Sequence, residues 1–368
     1  MYLRHAPSLN KFRVGSLRSY VRTDVRVSKP LFVKNLSKLD FFSFKSLLIP
    51  FFFCTFAAAK VKVAFTTILP KEGFRRLLAN GYRLSVIGEG DCSDAEILVS
   101  TFDYRVPREM IESMPALRMI ANFGAGYNNI DLDACRERGI RVTNTPQPVI
   151  EPTAELAFAL MIDVARRVAE FDRTLRAGQA AFGVMSNLSH SLYGKTLGII
   201  GMGRIGQALA RRAKASGMRI MYYNRNRLPE QTEQLYNAQY VDFQTLLQDS
   251  DFVSLNLPYT PEVHHIIGKP ELGMMKRSAY LINTARGAHV DEAALVEALK
   301  SGIIAGAALD VYEFEPTISS ELLNLPNVVL SPHTGTGTWE GRIAMCENVC
   351  DNIIAFTNNE IDKMNIVL

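Results

Sequence analysis

Three side chains suited to acid–base chemistry each follow an apolar run in the C-terminal half of the chain: Arg286, Glu315 and His333. Parallel sheets bind their ligands beyond the carboxyl ends of the strands, so the three side chains are expected to meet there. An arginine can bind a carboxylate and its neighbouring carbonyl bidentately. A histidine titrates near neutral pH and can donate a proton, and a carboxylate on its second ring nitrogen keeps the protonated form populated. The set predicts the reduction of a 2-keto acid.

A glycine-rich turn between a predicted strand and a predicted helix indicates a second binding function. The motif GMGRIG at 201–206 follows the apolar run 196–200 and precedes an alanine-rich stretch. Gly201 permits a tight turn, Gly203 lets a pyrophosphate approach the backbone, and Gly206 lets the helix pack closely on the strand. Free N–H groups and the helix dipole then face the phosphates. The motif in this context predicts a dinucleotide-binding site.

The residues after the next predicted strand bear on which dinucleotide binds. That strand is followed by Asn224 and Arg225, about where an NAD site usually carries an Asp or Glu for the ribose 2′-hydroxyl. A carboxylate would repel a 2′-phosphate, whereas a neutral Asn beside an Arg can accept one. The pair therefore favours NADP(H). NAD(H) stays possible, because arginines in loops are often simply solvated.

The pattern from Lys60 onward alternates strands and helices, which is typical of parallel sheets covered by helices. A long helix is predicted from Pro152, with apolar residues at helical spacing as far as Leu175 and with Gly178 as a stop. Such a helix can link two domains, and the expected fold class is α/β with two doubly wound parallel-sheet domains. A first helix is predicted at 73–80. The predicted strands are 61–65, 95–100, 117–122, 196–200, 219–223, 252–256, 280–283, 305–309 and 328–330.

Composition and charge limit the classes of function. The chain has 368 residues, 48% of them hydrophobic, which fits two domains with sizeable cores. Its net charge of +4 is uneven, because residues 1–60 carry eleven Lys and Arg against two acids and the remainder carries 30 against 35. The body of the protein is therefore mildly acidic, so no nucleic-acid partner is predicted.

Residues 1–59 are interpreted as an extension that the chemistry does not need. They are rich in Arg, Lys, Ser and Phe and poor in acids, as mitochondrial transit peptides are. An apolar run at 47–59 is too short to span a bilayer, so no membrane partner is expected. A start assigned too far upstream is a further alternative. The cytoplasm is the expected location, and the mitochondrion is the alternative if the extension is a transit peptide.

The cysteines and the other histidines lack the spacing of a metal site. Cys346 and Cys350 lie one helical turn apart without a further ligand nearby, and the other cysteines are scattered. His264 and His265 are interpreted as structural. His289 is close to Arg286 in sequence but precedes a predicted helix, so it is interpreted as a bystander. No metal is predicted.

Four motifs taken together resemble those of the D-isomer-specific 2-hydroxyacid dehydrogenases, and the resemblance covers nearly all of 60–368. They are GMGRIG at 201–206, NTARG at 283–287, ALDVYEFEP at 308–316 and SPHTGTGT at 331–338. The resemblance implies a Rossmann NAD(P)-binding domain inserted into a flavodoxin-like substrate domain, with the active site in the cleft between them. It also implies a homodimer built largely through the cofactor domain. The boundaries it implies are 60–154 plus 336–368 for the substrate domain and 155–335 for the cofactor domain.

The resemblance also implies roles for individual residues. Arg286, Glu315 and His333 match the catalytic triad of the family. The substrate carboxylate is expected at the backbone N–H groups of Gly124-Ala125-Gly126. The residues expected to contact the cofactor include the glycine motif and the Asn224-Arg225 pair. The full set is Thr153, Gly201, Gly203, Arg204, Ile205, Gly206, Asn224, Arg225, Pro258, Thr284, Ala285 and Asp310.

The identity of the 2-keto acid is left open by the sequence. Glyoxylate and hydroxypyruvate are favoured, because no additional cluster of Arg and Lys stands out to hold a substrate phosphate. 3-Phosphoglycerate dehydrogenase is the enzymatic alternative. An NAD(H)-sensing corepressor is the alternative from another class, since such relatives keep the same triad. Trp339, the single tryptophan, either lines the pocket or packs between the domains.

Overall fold

The structure of the chain, a computed structural model, describes residues 60–179 and 181–368, and these contain two parallel sheets. The first sheet has the strand order β2-β1-β3-β4-β5, which is the flavodoxin-like arrangement. Every neighbouring pair in it is parallel. Its strands are β1 (Lys60–Phe65), β2 (Tyr82–Val86), β3 (Ile97–Thr101), β4 (Met119–Phe123) and β5 (Arg141–Thr143).

The second sheet has seven parallel strands in the order β12-β11-β10-β9-β6-β7-β8. The order reverses beside β6, as in the Rossmann arrangement, and such a reversal opens a crevice where ligands bind. The prediction of two doubly wound parallel sheets is confirmed. The strands are β6 (Thr196–Ile200), β7 (Arg219–Tyr223), β8 (Ala238–Tyr240), β9 (Phe252–Leu255), β10 (Tyr280–Asn283), β11 (Gly306–Leu309) and β12 (Val328–Leu330).

Helices connect the parallel strands and cover both faces of the sheets. Short 3₁₀ helices lie at Lys71–Phe74, Pro261–Val263, Gly287–His289 and Ile361–Lys363. The α-helices are α1 (Arg75–Ala79), α2 (Arg108–Glu112), α3 (Leu132–Glu137), α4 (Ile150–Arg166), α5 (Val168–Arg176), α6 (Arg204–Ala215), α7 (Glu230–Tyr236), α8 (Phe243–Asp249), α9 (Lys269–Met274), α10 (Glu292–Lys300), α11 (Ser320–Asn324) and α12 (Trp339–Thr357).

The two longest helices pack on different sheets. α4 buries Leu160 and Val164 in a core with α6 and the second sheet. α12 comes after the last strand of the second sheet, yet it buries Met345 and Val349 in a core with β1, β3 and β4. The chain therefore crosses from the first sheet to the second and comes back. Within the described part of the chain, no helix is long and apolar enough to cross a membrane.

The prediction of one continuous helix from Pro152 to Gly178 is wrong. Arg167 adopts a left-handed conformation with φ of 56°, and this ends α4 and begins α5. Apolar residues keep their helical spacing through the break, but α5 buries none of its residues. Helical spacing shows that a segment has an apolar face, but it does not show whether that face is buried. The sequence pattern therefore could not locate the break.

Three strands were not predicted: β2, β5 and β8 each lie at the edge of a sheet. β5 and β8 have only three residues, too few for a recognisable apolar pattern, and short edge strands are common because they limit unwanted pairing. The helix predicted at 73–80 is a 3₁₀ turn followed by α1. The interpretations of residues 1–59, including Cys54, lie outside the described residues.

Candidate active site

The predicted triad follows three adjacent strands. Arg286 follows β10, Glu315 follows β11 and His333 follows β12, and these strands pair in parallel in that order. Their carboxyl ends therefore lie side by side. The distance from His333 Nδ1 to Glu315 Oε2 is 2.7 Å, so the imidazole is hydrogen bonded to the carboxylate. The other ring nitrogen, Nε2, has no hydrogen-bond partner among the residues that the structure describes.

Glu315 is held as a carboxylate by the groups around it. Burial alone raises its pKa, but the hydrogen bond with His333, the charges of His333 and Arg286, and the amide of Tyr312 together lower it below the usual range. The Tyr312 N–H donates to Glu315 Oε1 over 2.9 Å. The carboxylate is therefore positioned from two sides and charged at neutral pH, as an orienting partner for a histidine must be.

The backbone that carries His333 is anchored by Asp310. His333 has a positive φ of 53°, and its N–H donates to the Asp310 carbonyl over 2.8 Å. The N–H groups of Thr334 and Gly335 donate to the Asp310 carboxylate, each over 2.8 Å. Burial raises the pKa of Asp310, although these hydrogen bonds oppose the shift. Asp310 therefore fixes the turn that carries His333, and its contact with the cofactor stays a prediction.

Arg286 is half-buried and has no carboxylate partner among the described residues. Its Nε donates to Asn128 Oδ1 over 3.2 Å and its Nη1 to the Ala285 carbonyl over 2.6 Å, and it forms no ion pair within the described part of the chain. Burial lowers the pKa of Arg286, and the charge of Glu315 opposes that shift. A methyl group at Gly126 would overlap its guanidinium. Arg286 therefore lies against the Gly124–Gly126 loop, ready for an external carboxylate.

The Gly124–Gly126 loop is held by its carbonyl groups. Asn122 Nδ2 donates to the carbonyls of Gly124 and Gly126 over 3.2 and 2.8 Å, and Asn144 Nδ2 donates to that of Ala125 over 2.8 Å. None of the three loop N–H groups donates a hydrogen bond to another residue that the structure describes. Successive free N–H groups in a turn form an anion-binding concavity. The loop is therefore suited to a carboxylate.

The GMGRIG turn has the form that a pyrophosphate requires. Gly201 has φ of 91°, and a methyl group there would lie 2.7 Å from the Leu257 nitrogen. A methyl group at Gly206 would lie 2.6 Å from the Gly201 carbonyl oxygen, whereas Gly203 faces open space. The Met202 N–H donates to Asn224 Oδ1 over 2.7 Å. The turn then leads into α6, whose first residue is the exposed Arg204.

One cavity of about 760 Å³ is lined by residues of the two loops and by Arg286 and His333. Two buried oxygens on residues that line it, Thr284 Oγ1 and Asn256 Oδ1, have no hydrogen-bond partner in the described structure. Orphaned polar atoms beside an open glycine turn fit a polar dinucleotide such as NAD(P). The predicted residues that line the cavity are Gly124, Ala125, Gly126, Thr153, Gly203, Arg204, Ile205, Pro258, Thr284, Ala285, Arg286, Asp310 and His333.

Several predicted residues lie behind or beside this cavity. Glu315 lies behind His333, and Gly201, Gly206 and Asn224 shape the turn without lining the cavity. Arg225 is exposed at the end of β7 and forms no ion pair in the described structure. A hydrogen bond from Thr260 lowers the pKa of Glu262, and the charge of Arg225 adds a smaller contribution in the same direction.

Arg227, by contrast, is already engaged. Its Nε and Nη2 donate to the two oxygens of Glu233, each over 2.8 Å. Of the two arginines that follow β7, only Arg225 is therefore available to a ligand.

Sequence reasoning missed the amides and one ring that position the site. Asn122 and Asn144 hold the substrate loop, and Asn283 holds the Arg286 turn by donating to the Arg286 carbonyl over 2.9 Å and accepting from the Ala285 N–H. The Phe102 ring packs on the His333 imidazole with centroids 4.3 Å apart. A polar Asn at the end of an apolar strand was the available signal for Asn122 and Asn283.

The other histidines that the structure describes do not line the cavity. His265 Nε2 lies 2.6 Å from Glu313 Oε1, and His264 stacks on His265 with centroids 3.9 Å apart. These three residues place ligand atoms within 4.8 Å of one another, but rings that stack at 21° do not aim their nitrogens at one ion. His289 is fully buried, and burial lowers its pKa to about 4. Trp339 is 79% exposed and does not line the cavity.

Comparisons with known proteins agree on one family. Residues 158–335 match the family model described as D-isomer specific 2-hydroxyacid dehydrogenase, NAD binding domain. The chain is 50% identical over 273 residues to a glyoxylate reductase from Thermococcus litoralis, covering 73% of this chain and 82% of that one.

Two solved structures show the same fold. A glyoxylate reductase from Paecilomyes thermophila is 38% identical with a TM-score of 0.73, covering 80% of this chain and 94% of the other. An NADPH-dependent glyoxylate/hydroxypyruvate reductase from Sinorhizobium meliloti, in complex with NADP and malonate, is 32% identical with a TM-score of 0.73, covering 81% and 93%.

Proposed function

The chain belongs to the D-isomer-specific 2-hydroxyacid dehydrogenase family, whose members are NAD(P)-dependent oxidoreductases, and we propose that it reduces a small unphosphorylated 2-keto acid such as glyoxylate or hydroxypyruvate. The relatives named glyoxylate reductase and glyoxylate/hydroxypyruvate reductase support this substrate class.

The proposed substrate class rests on the number of basic side chains in the cavity wall. Among the described residues, the basic side chains that line it are Arg204, Arg286 and His333, and Arg204 starts the helix of the dinucleotide turn. The lining near Arg286 and His333 also includes the apolar Phe102 and Met345 and the neutral Asn128. One arginine and one loop of free N–H groups suit a single carboxylate. A substrate phosphate would need further donors, which disfavours 3-phosphohydroxypyruvate.

Each residue of the site has its own role in the proposed reduction. Bound NAD(P)H supplies a hydride to the carbonyl carbon of the keto acid. Arg286 and the Gly124–Gly126 amides bind the carboxylate and polarise the carbonyl. His333 donates a proton from Nε2 to the carbonyl oxygen as it gains charge, so hydride and proton together give the 2-hydroxy acid. Glu315 keeps the imidazole oriented and stabilises its protonated form, and His333 then takes up a proton from water.

The cofactor is proposed to be NADP(H) in preference to NAD(H). Two observations support this: Arg225 is exposed and unpaired among the described residues at the end of β7, and Asn224 stands where an acid would repel a phosphate. The proximity of Glu262 to Arg225 is the opposing observation, since a nearby carboxylate lowers the local affinity for an anion. NAD(H) thus stays the alternative.

The proposal includes the domain arrangement and the assembly. We place the substrate domain at 60–154 and 336–368 and the cofactor domain at 155–335, with the cytoplasm as the expected location. A homodimer is supported by α5 and the loop after it, because an exposed apolar patch of this kind marks an interaction surface. The large apolar side chains there that are more than half exposed are Val168, Leu175, Phe182, Val184, Met185 and Leu188.

One assay with the full chain tests the substrate and the cofactor. NADPH and NADH oxidation is followed with glyoxylate, hydroxypyruvate and 3-phosphohydroxypyruvate in parallel. We expect fast turnover of the two unphosphorylated acids, with a preference for NADPH. A preference for the phosphorylated acid would contradict the assignment, and absence of turnover with all three acids would favour the cofactor-sensing alternative. Light scattering of the same sample tests the dimer.

A further inference from the structure

One arginine of α12 has aromatic rings as its nearest partners. The Arg342 guanidinium carbon lies 5.9 Å from the centroid of the Phe102 ring and 5.7 Å from that of Phe123. Its side chain makes no hydrogen bond and no ion pair with the residues that the structure describes, and Asp103 is the carboxylate whose charge acts on it. Burial lowers the pKa of Arg342. Cation–π attraction is therefore the interaction that holds this guanidinium.

The two rings belong to the cavity wall. Phe102 follows β3 directly, Phe123 is the last residue of β4, and both line the cavity. Phe102 also packs on His333, with an angle of 33° between the ring planes. Contacts thus run from the Arg342 guanidinium to the Phe102 ring and on to the His333 imidazole. Glu315 holds one edge of that imidazole, and Phe102 covers one face.

We propose that Arg342 is a positioning residue: its guanidinium holds the Phe102 ring against His333 and so keeps the imidazole aimed into the cavity. The hydrogen bond to Glu315 fixes the Nδ1 atom but allows the ring to rotate about that bond. A ring packed on its face removes this freedom. A guanidinium performs the task because it attracts two ring faces at once, whereas an apolar side chain would only fill the space.

Kinetics of the full chain provide the first test, and this readout rests on the proposed function. In Arg342→Met, which keeps an unbranched apolar stem but removes the guanidinium and its charge, we expect kcat for glyoxylate to fall roughly tenfold to a hundredfold, as misplacement of a reacting group does. The KM for NADPH should stay within about twofold, because the cofactor turn is untouched. Arg342→Lys should recover part of kcat, since it retains a cation.

A matched control separates positioning from simple packing. Arg118 also lies over an aromatic ring, 5.2 Å from the Phe356 centroid, but neither residue lines the cavity. Arg118→Met should leave kcat unchanged. In a Phe102→Leu background, Arg342→Met should cause little further loss, because the two residues act through one contact. Additive losses in this cycle would contradict the proposal.

A spectroscopic readout decides the proposal without any turnover. In protein labelled with ¹³C-histidine, the His333 ring protons, assigned with His333→Gln, are shifted upfield by the facing Phe102 ring. Arg342→Met should move these signals downfield, in the direction that Phe102→Leu moves them. If they stay in place in Arg342→Met, the positioning role is wrong, whatever the activity. If the signals move but no 2-keto acid is reduced even by the parent protein, the proposed function fails and the contact stands.

Discussion

Two glycine-rich loops follow parallel strands in this chain, and they differ in which backbone groups are hydrogen bonded to an asparagine side chain. In the Gly124–Gly126 loop after β4, asparagine side chains donate to the carbonyls, and the N–H groups have no hydrogen-bond partner among the described residues. In the Gly201–Gly206 turn after β6, an asparagine takes up an N–H group, that of Met202, and a twelve-residue helix follows at once.

The difference shows how one local pattern yields two binding sites. Behind the second turn, α6 supplies N–H groups and a dipole for a pyrophosphate. The first loop has only the short helix α3, six residues further on, so its receptor has to be the loop amides together with Arg286. The first loop is thus suited to a small carboxylate and the second to a phosphate chain.

The largest effect is expected where the two sites meet, at His333. His333→Ala should lower kcat for glyoxylate by roughly 10²–10⁴-fold, the usual contribution of general acid–base catalysis. Binding of NADPH and of oxalate, a non-reacting carboxylate, should change little when measured by calorimetry. A large loss of kcat with unchanged binding of NADPH and oxalate would show that both loops bind their anions without the proton donor. A parent-like kcat would remove His333 from the role of proton donor.

A methyl group added to each loop tests their independence. Gly126→Ala should lower kcat/KM for the keto acid about a hundredfold, because the methyl group displaces the Arg286 guanidinium, while the Kd for NADPH stays unchanged. Gly203→Ala is the matched variant, since its methyl group meets nothing in the structure but stands where a pyrophosphate approaches. Gly203→Ala should weaken NADPH binding more than it lowers kcat/KM for the keto acid. If both variants lose both ligands equally, the two loops form one coupled site.

The arginines after β7 test the choice of cofactor at the second turn. Arg225→Ala should raise the KM for NADPH roughly tenfold relative to NADH, the effect of losing one charge-assisted hydrogen bond of about 1.5 kcal/mol. Arg227→Ala is the control, because Arg227 is engaged with Glu233. An unchanged ratio in Arg225→Ala would leave NAD(H) as the better assignment. An equal change in both variants would indicate a general electrostatic effect.

The sequence predicted the strands that carry the triad and the glycine turn, because these features are local. Buried strands read as apolar runs, and Arg286 and His333 follow such runs directly. The supports of the site are contacts between distant segments. Asn144 reaches Ala125 from another loop, and Arg342 meets Phe102 across the sheet. Helix or strand periodicity does not encode such contacts. A single sequence therefore identifies the reacting groups more easily than the residues that orient them.

A titrating carboxylate holds β7, the strand that pairs with β6, whereas neutral amides hold the first loop, and this difference predicts the smallest effect. Glu233 binds Arg227 and the Tyr222 hydroxyl, and these hydrogen bonds lower the pKa of Glu233 from 4.5 to about 2. A depressed carboxylate pKa contributes stability above pH 4.5 and loses it as the pH falls toward 2. Glu233→Gln should therefore lower the Tm by roughly 2–4 °C at pH 7. That deficit should shrink as the pH is lowered from 6 to 3.5, followed by circular dichroism. Asn144→Ala, which removes a neutral support of the first loop, should show a deficit that does not depend on pH, and parallel behaviour of the two variants would contradict the distinction.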